Sequence, residues 1–155
     1  MTDNPAATSA IYVDADACPV KDEAVRVAER HGLPLYFVSN TWMRLPEGPL
    51  INRVVVNDDP DAADNWIAER IGPRDIAVTA DIPLAARCLK RGAHVIGPTG
   101  KPFTPDGIGM ALAMRDLSAH LRETGGSKGY NASFTKADRS RFLQALEQAV
   151  QRLLR

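Results

Sequence analysis

Ala10-Ile11-Tyr12-Val13-Asp14-Ala15-Asp16 is a short apolar run that ends on two acids, and the residues after it, Pro19 to His31, change period. There Val20, Ala24, Val27 and Ala28 recur at helical spacing until Gly32 closes the stripe. The stretch reads as strand, then helix, and the same alternation repeats downstream. Pro34 restarts the chain into Leu35-Tyr36-Phe37-Val38, and after a Pro/Gly-rich excursion Ile51 to Val56 is rich in β-branched residues. Asp59 and Pro60 are placed as cap and first position of a helix through Ile71, stopped by Gly72-Pro73. Ile76 to Thr79 reads as a strand, Ile82 to Arg91 as a helix and His94 to Ile96 as a last short strand. Strands alternating with helices predict an α/β fold, a parallel sheet with helices on both faces in three layers.

From Gly97 to Gly107 the chain reads as loop, and beyond it as C-terminal helices. Met110, Met114, Leu117 and Leu121 share one stripe. Thr135 and Asp138 resemble a capping box ahead of Leu143, Leu146, Val150 and Leu153. That last stripe is expected either to pack on the sheet or to form a homodimer seam.

The length of 155 residues suits a single domain, expected over residues 10–155, with the small and polar residues 1–9 as a disordered tail. Nineteen Lys+Arg balance nineteen Asp+Glu, so no global field draws in a polyanion, which must be held locally. Cys18 and Cys88 have neither a disulfide framework nor zinc-ligand spacing, and a reducing cytoplasm is the expected location. No stretch approaches the ~20 apolar residues of a membrane helix, so no membrane partner is expected.

The acids carry the functional signal. Asp14 and Asp16 follow Val13, Ser39 and Asn40 follow Val38, Asp58, Asp59 and Asp61 follow Val56, and Asp81 follows Thr79. In a parallel sheet these ends lie along one edge, where open α/β folds bind ligands. Oxygen-only clusters suit hard cations such as Mg²⁺ or Mn²⁺. Asp14 and Asp16 project to one side of an extended chain with Cα atoms about 6.6 Å apart. Asp61 and Asp64, three apart, share a helix face. Asp is also a preferred helix cap, and each acid here precedes a helix; Asp59 is the best cap candidate and is left out of the site with Asp58. The candidate metal ligands are thus Asp14, Asp16, Asp61, Asp64 and Asp81. Asp14, Asp16, Asp64 and Asp81 are the candidate catalytic residues, and Ser39, Asn40, Asn65, Thr79, Lys21 and Arg87 the candidate substrate contacts.

Other motifs carry less. Acids beside Cys18 raise a thiol pKa, which argues against a nucleophilic cysteine. His31, His94 and His120 share no ligand spacing. Gly97-Pro98-Thr99-Gly100-Lys101 is too short for a phosphate loop and reads as a turn. Gly125 to Tyr130 is glycine-rich, basic and aromatic, open either to a phosphate-and-base clamp or to a linker.

Val13-Asp14-Ala15-Asp16-Ala17-Cys18-Pro19, Asp61-Ala62-Ala63-Asp64-Asn65 with Ile67, and Thr79-Ala80-Asp81-Ile82-Pro83-Leu84-Ala85-Ala86 together resemble the YaiI/YqxD family of bacterial proteins. Met114-Arg115-Asp116 and Asp138-Arg139 with Phe142 extend the likeness, while Gly129-Tyr130-Asn131 departs from the Gly-Pro common there. The family in turn resembles a branch of the PIN-like superfamily, whose members are commonly metal-dependent nucleases. That resemblance implies a PIN-like fold, with Asp14 as the acid after the first strand, Asp64 or Asp61 as the helical acid, and Asp81 as the acid after the later strand, accompanied by the Thr79 hydroxyl. Asp16 is then an added ligand.

The expected activity is a Mg²⁺- or Mn²⁺-dependent phosphodiesterase acting on RNA or single-stranded DNA. Two alternatives stay open. One is a haloacid-dehalogenase-like phosphatase with Asp14 as nucleophile, and the other is a non-catalytic metal- and RNA-binding module.

Overall fold

The computed structural model describes residues 9–16, 18–123 and 134–154. The expected tail, apart from Ser9, and the glycine loop Gly125–Tyr130 lie outside the described residues. Ser9 itself is buried.

Five strands run parallel: β1 (Ile11–Asp14), β2 (Leu35–Ser39), β3 (Ile51–Val55), β4 (Ile76–Val78) and β5 (His94–Ile96). A sixth, β6 (Pro102–Phe103), pairs antiparallel with β5, giving the order β3-β2-β1-β4-β5-β6. The expected loop Gly97–Gly107 therefore contains a strand. Two residues beginning with proline leave no alternation to read, and proline is tolerated at a sheet edge. The turn into it is tight: the Gly100 amide donates to Gly97 O at 3.0 Å and Gly100 adopts φ +93°.

Helices cover both faces. Ile11, Val13, Leu35, Phe37, Ile76 and Val78 form one core with α1 (Lys21–His31) and α5 (Lys136–Leu153). Tyr12, Val38, Ala77 and Val95 form a second core with α2 (Ala62–Arg70) and α3 (Ile82–Lys90). Because successive strand residues face opposite sides, both sets must be apolar, which is why the strands read as continuous apolar runs. The result is the expected single three-layer α/β domain with a mostly parallel sheet.

Local signals fix several ends. Gly32 closes α1 at φ +70°. Thr135 Oγ1 accepts from the Asp138 amide at 3.1 Å while Asp138 Oδ2 accepts from the Thr135 amide at 3.0 Å, a reciprocal capping box on α5. The face of α5 bearing Phe142, Leu146, Val150 and Leu153 is buried against the sheet, with Leu143 at its margin. The stripe that a dimer seam would need is thus covered within the chain.

One expectation is corrected. α2 starts at Ala62, with Asp61 rather than Asp59 in the capping position. Asn57 Oδ1 accepts from the Asp59 amide at 3.0 Å, which holds Asp59 and Pro60 in the turn before the helix. On α4 (Ile108–Glu123), the stripe of Met110, Met114 and Leu117 faces solvent at 69%, 53% and 50% exposure. The inward face is offset and carries Ile108, Ala111 and Leu112, a second apolar set at the same spacing. The Leu121 side chain lies outside what is described. Among the described residues no helix is long and apolar enough to cross a membrane.

Candidate active site

The chain steps from β1 to β2 to β3 in one direction, then returns to place β4 on the other side of β1 and β5 beyond it. The connections diverge between β1 and β4, and it is at the carboxyl ends of the strands beside such a switch point that open α/β folds bind ligands. Asp14 is the last residue of β1, and Thr79 and Asp81 follow β4.

Val13 pairs with Val78, so Asp14 and Thr79 are the next residues across the β1–β4 junction. The Thr79 hydroxyl donates to Asp14 Oδ2 at 2.9 Å, and Thr79 Oγ1 itself accepts from the Asp81 amide at 2.9 Å. Asp81 Oδ1 in turn accepts the Leu84 amide at 3.0 Å and caps α3. One hydroxyl thereby ties both acids to one frame. Capping and site membership are not alternatives for Asp81, since only one of its carboxylate oxygens serves the helix. Asp14 is 6% exposed, and burial raises its pKa. The Thr79 hydrogen bond opposes that rise, and the charges of Asp81 and Asp16 add to it.

Asp64 comes to this rim from the first turn of α2. Burial pushes its pKa up to about 6, and the charges of Asp81, Asp14 and Asp61 push the same way against Arg87. The acids of three separate segments therefore sense one another. Asp61 precedes Asp64 at the α2 N-cap, exposed and making no side-chain capping bond.

Asp16, whose charge reaches Asp14, is bonded on the β2 side. Its Oδ1 accepts the Ser39 hydroxyl at 2.6 Å and its Oδ2 accepts the Asn40 amide at 3.1 Å. Asn65 and Arg87 pair across α2 and α3 with Arg87 Nη1 donating to Asn65 Oδ1 at 2.7 Å, both exposed. Lys21 Nζ donates to Arg44 O at 3.0 Å, which turns this cation to bracing the loop after β2. The exposed Trp42 in that loop was not signalled by any motif; only an aromatic shortly after a strand end, with basic neighbours, could have marked it.

Burial pushes the Cys18 thiol up to about 12, with the Asp14 charge adding to the effect, so the thiol stays protonated and is no nucleophile. His31 Nε2 pairs with Glu147 at 2.7 Å, far from this rim, and His94 is exposed at the start of β5; the His120 side chain lies outside what is described.

Among the described residues no group of three His, Cys, Asp or Glu side chains is placed to hold a metal ion. The donor set along the rim is nonetheless entirely carboxylate and hydroxyl oxygen. Mg²⁺ keeps several waters and needs only one or two protein carboxylates, so an open acidic rim of this donor chemistry fits such an ion.

The chain was compared with known proteins. A family model described as "Uncharacterized BCR, YaiI/YqxD family" matches residues 12–152. The chain belongs to the YaiI/YqxD family. A UPF0178 protein of Parvibaculum lavamentivorans is 64% identical over 145 residues, covering 94% of this chain and 95% of that one. A UPF0178 protein of Rhizobium etli is 61% identical over 142 residues, 92% of each chain, and one of Agrobacterium fabrum is 59% identical over 143 residues, covering 92% and 94%. No solved structure matches. These family matches span the segments that supply Asp14, Asp64, Thr79 and Asp81.

Proposed function

We propose that this member of the YaiI/YqxD family is a divalent-cation-dependent phosphodiesterase, PIN-like in its arrangement of acids, acting on RNA or single-stranded DNA. The observation that carries the reading is geometric: the Thr79 hydroxyl joins Asp14 and Asp81 at the β1–β4 switch point, and Asp64, pushed up to about 6 by burial first and by the charges of Asp81, Asp14 and Asp61 second, senses both. Acids gathered from distant segments at such expense are stabilised by a cation, and hard-cation chemistry suits phosphate esters.

In this reading Asp14, Asp64 and Asp81 would hold Mg²⁺ or Mn²⁺, with Asp61 at the margin. Such an ion would supply a more acidic water and offset the charge that develops on the phosphoryl oxygens. Thr79 fixes the orientation of Asp14 through its hydroxyl proton. Arg87, kept in place by Asn65, stands at the rim as a cation for a substrate phosphate. Asp16 acts through position: with both its oxygens accepting bonds from Ser39 and Asn40, it anchors the start of the loop after β2. That engagement counts against the dehalogenase-like alternative, which needs Asp16 free to carry a proton.

The test is cleavage of labelled RNA and single-stranded DNA oligomers with Mg²⁺, Mn²⁺ or EDTA. Cation-dependent cleavage should vanish in Asp14→Asn and Asp81→Asn while far-UV circular dichroism is unchanged. A wild type inert on every oligomer tried overturns the proposal, and a fluoroberyllate adduct at Asp14 would replace it with the phosphatase.

A further inference from the structure

The loop leaving β2 places an aromatic ring where the fold has no structural use for it. Along Trp42-Met43-Arg44-Leu45 the side chains alternate: Leu45 is buried in the core and Met43 packs against it, while Trp42 and Arg44 point outward. Trp42 is 66% exposed, a large apolar surface left in water. It is also held in place. The Arg53 guanidinium carbon lies 4.6 Å from the ring centroid, and Arg53 Nε donates to Met43 O at 3.0 Å, fixing the cation beneath the ring. Lys21 pins the next residue through Arg44 O, and the buried Leu45 anchors the loop from below.

This ring is wired to the candidate site. Asn40, whose amide binds Asp16, lies only two residues before Trp42, so their Cα atoms are within about 7 Å. Ser39 Oγ donates to Asp16 and accepts the Thr41 amide at 3.0 Å, tightening the same link. An exposed indole backed by Arg53 and followed by Arg44 offers a flat stacking face together with positive charge. That pairing matches a base and its phosphate, and in a chain of zero net charge it supplies the local attraction that a polyanion requires.

We propose that Trp42, braced by Arg53, is a stacking platform for an unpaired base of a single-stranded nucleic acid whose backbone runs on to the acidic rim. The proposal rests on the phosphodiesterase reading for that rim, and names how its substrate is gripped. Stacking on an aromatic side chain is tolerant of base identity, so the platform selects single strands over duplex without selecting sequence.

The experiment is a fluorescence titration of the full chain in Mg²⁺ with a hydrolysis-resistant phosphorothioate oligothymidylate, set beside an abasic oligomer of equal length. Wild type should bind the base-bearing oligomer with quenching of tryptophan emission, and the abasic one more weakly. Trp42→Ala should weaken binding by about 5- to 150-fold and lose the quenching. Trp42→Phe should keep affinity within a few-fold while losing the quenching, because the ring remains and the fluorophore does not. Equal affinity of wild type and Trp42→Ala, equal affinity for the abasic oligomer, or no binding of either oligomer overturns the platform. Its fate separates from that of the hydrolysis reading. Quenched binding without cleavage of ordinary oligomers sinks the hydrolysis and leaves the platform standing, whereas cleavage with an unchanged KM in Trp42→Ala does the reverse.

Discussion

The hydroxyl of Thr79 donates to Asp14 Oδ2 across 2.9 Å, and this one bond joins the carboxyl ends of β1 and β4 at the point where the sheet changes direction. Both residues are buried, so the carboxylate has little water to replace the bond. Thr79→Val keeps the shape and removes the donor, and also leaves the Asp81 amide without its acceptor. The expected loss is about 1–3 kcal/mol, seen as a lower urea midpoint. Thr79→Ser restores the hydroxyl and should recover most of it. Equal midpoints for the valine variant and wild type would show that the bond contributes nothing.

Asp81 serves two purposes that substitution can separate. Asn is as good an N-cap as Asp, so Asp81→Asn should keep the bond to the Leu84 amide and unfold within about 0.5 kcal/mol of wild type. Asp81→Ala loses the cap and should cost about 1 kcal/mol. Both remove the charge, so both should abolish cation-dependent cleavage. Activity retained in Asp81→Asn would restrict Asp81 to capping.

Gly100 makes a contact no other residue can. A Cβ there would stand 2.7 Å from Arg141 O at the start of α5, and φ is +93°. Gly32 has φ +70° with nothing within 4 Å, so it meets the backbone penalty alone. Gly32→Ala should cost about 1 kcal/mol and Gly100→Ala about 3 kcal/mol or more, because backbone atoms cannot rotate out of the way. Denaturant midpoints of the pair decide it, and similar losses would mean that the turn yields.

How much of this was legible in the sequence follows from which signals are local. The buried strands around Val13, Phe37 and Val78 announce themselves as apolar runs because helices cover both faces, and the Thr135–Asp138 box is written in two side chains. Which face of α4 turns inward was not legible, because the stripe of Met110, Met114 and Leu117 competes with the set of Ile108, Ala111 and Leu112, and only the packing partner chooses between them. Asp59 sits in the turn ahead of α2, where Asn57 Oδ1 accepts its amide, and Asp61 takes the N-cap position without a side-chain capping bond, so no capping side chain marks this helix start in the sequence. In the candidate site, the placement of Asp14 and Asp81 along one sheet edge was legible from the strand ends they follow. The second engagement of Thr79, the tether of Asp16 to Ser39 and Asn40, and the seating of Trp42 over Arg53 were not, since each joins residues that only the fold brings together.

The raised pKa of Asp64 has a definite sign in the stability of the chain. With the folded value near 6 against an ordinary 3.8, the folded protein holds this proton more tightly than the unfolded one. The stabilisation is fully present below about pH 4 and is lost as the pH rises through 6, where the ionised carboxylate is first of all desolvated and also faces the charges of Asp81 and Asp14. Asp64→Asn should therefore match wild type at pH 4 and exceed it at pH 7 in EDTA. Because Asp64 is only half-buried, solvent screening reduces the gain to on the order of 1 kcal/mol, or about 2–4 °C in Tm. Adding Mg²⁺ at pH 7 should raise the melting temperature of wild type more than that of the variant, and this advantage should fade as protons compete for the carboxylate below pH 6. Thermal melts across this range, with and without the ion, measure both effects. A gap between the two proteins that stays constant with pH, or that opens at acid instead, would mean that Asp64 is not held against its neighbours' charge.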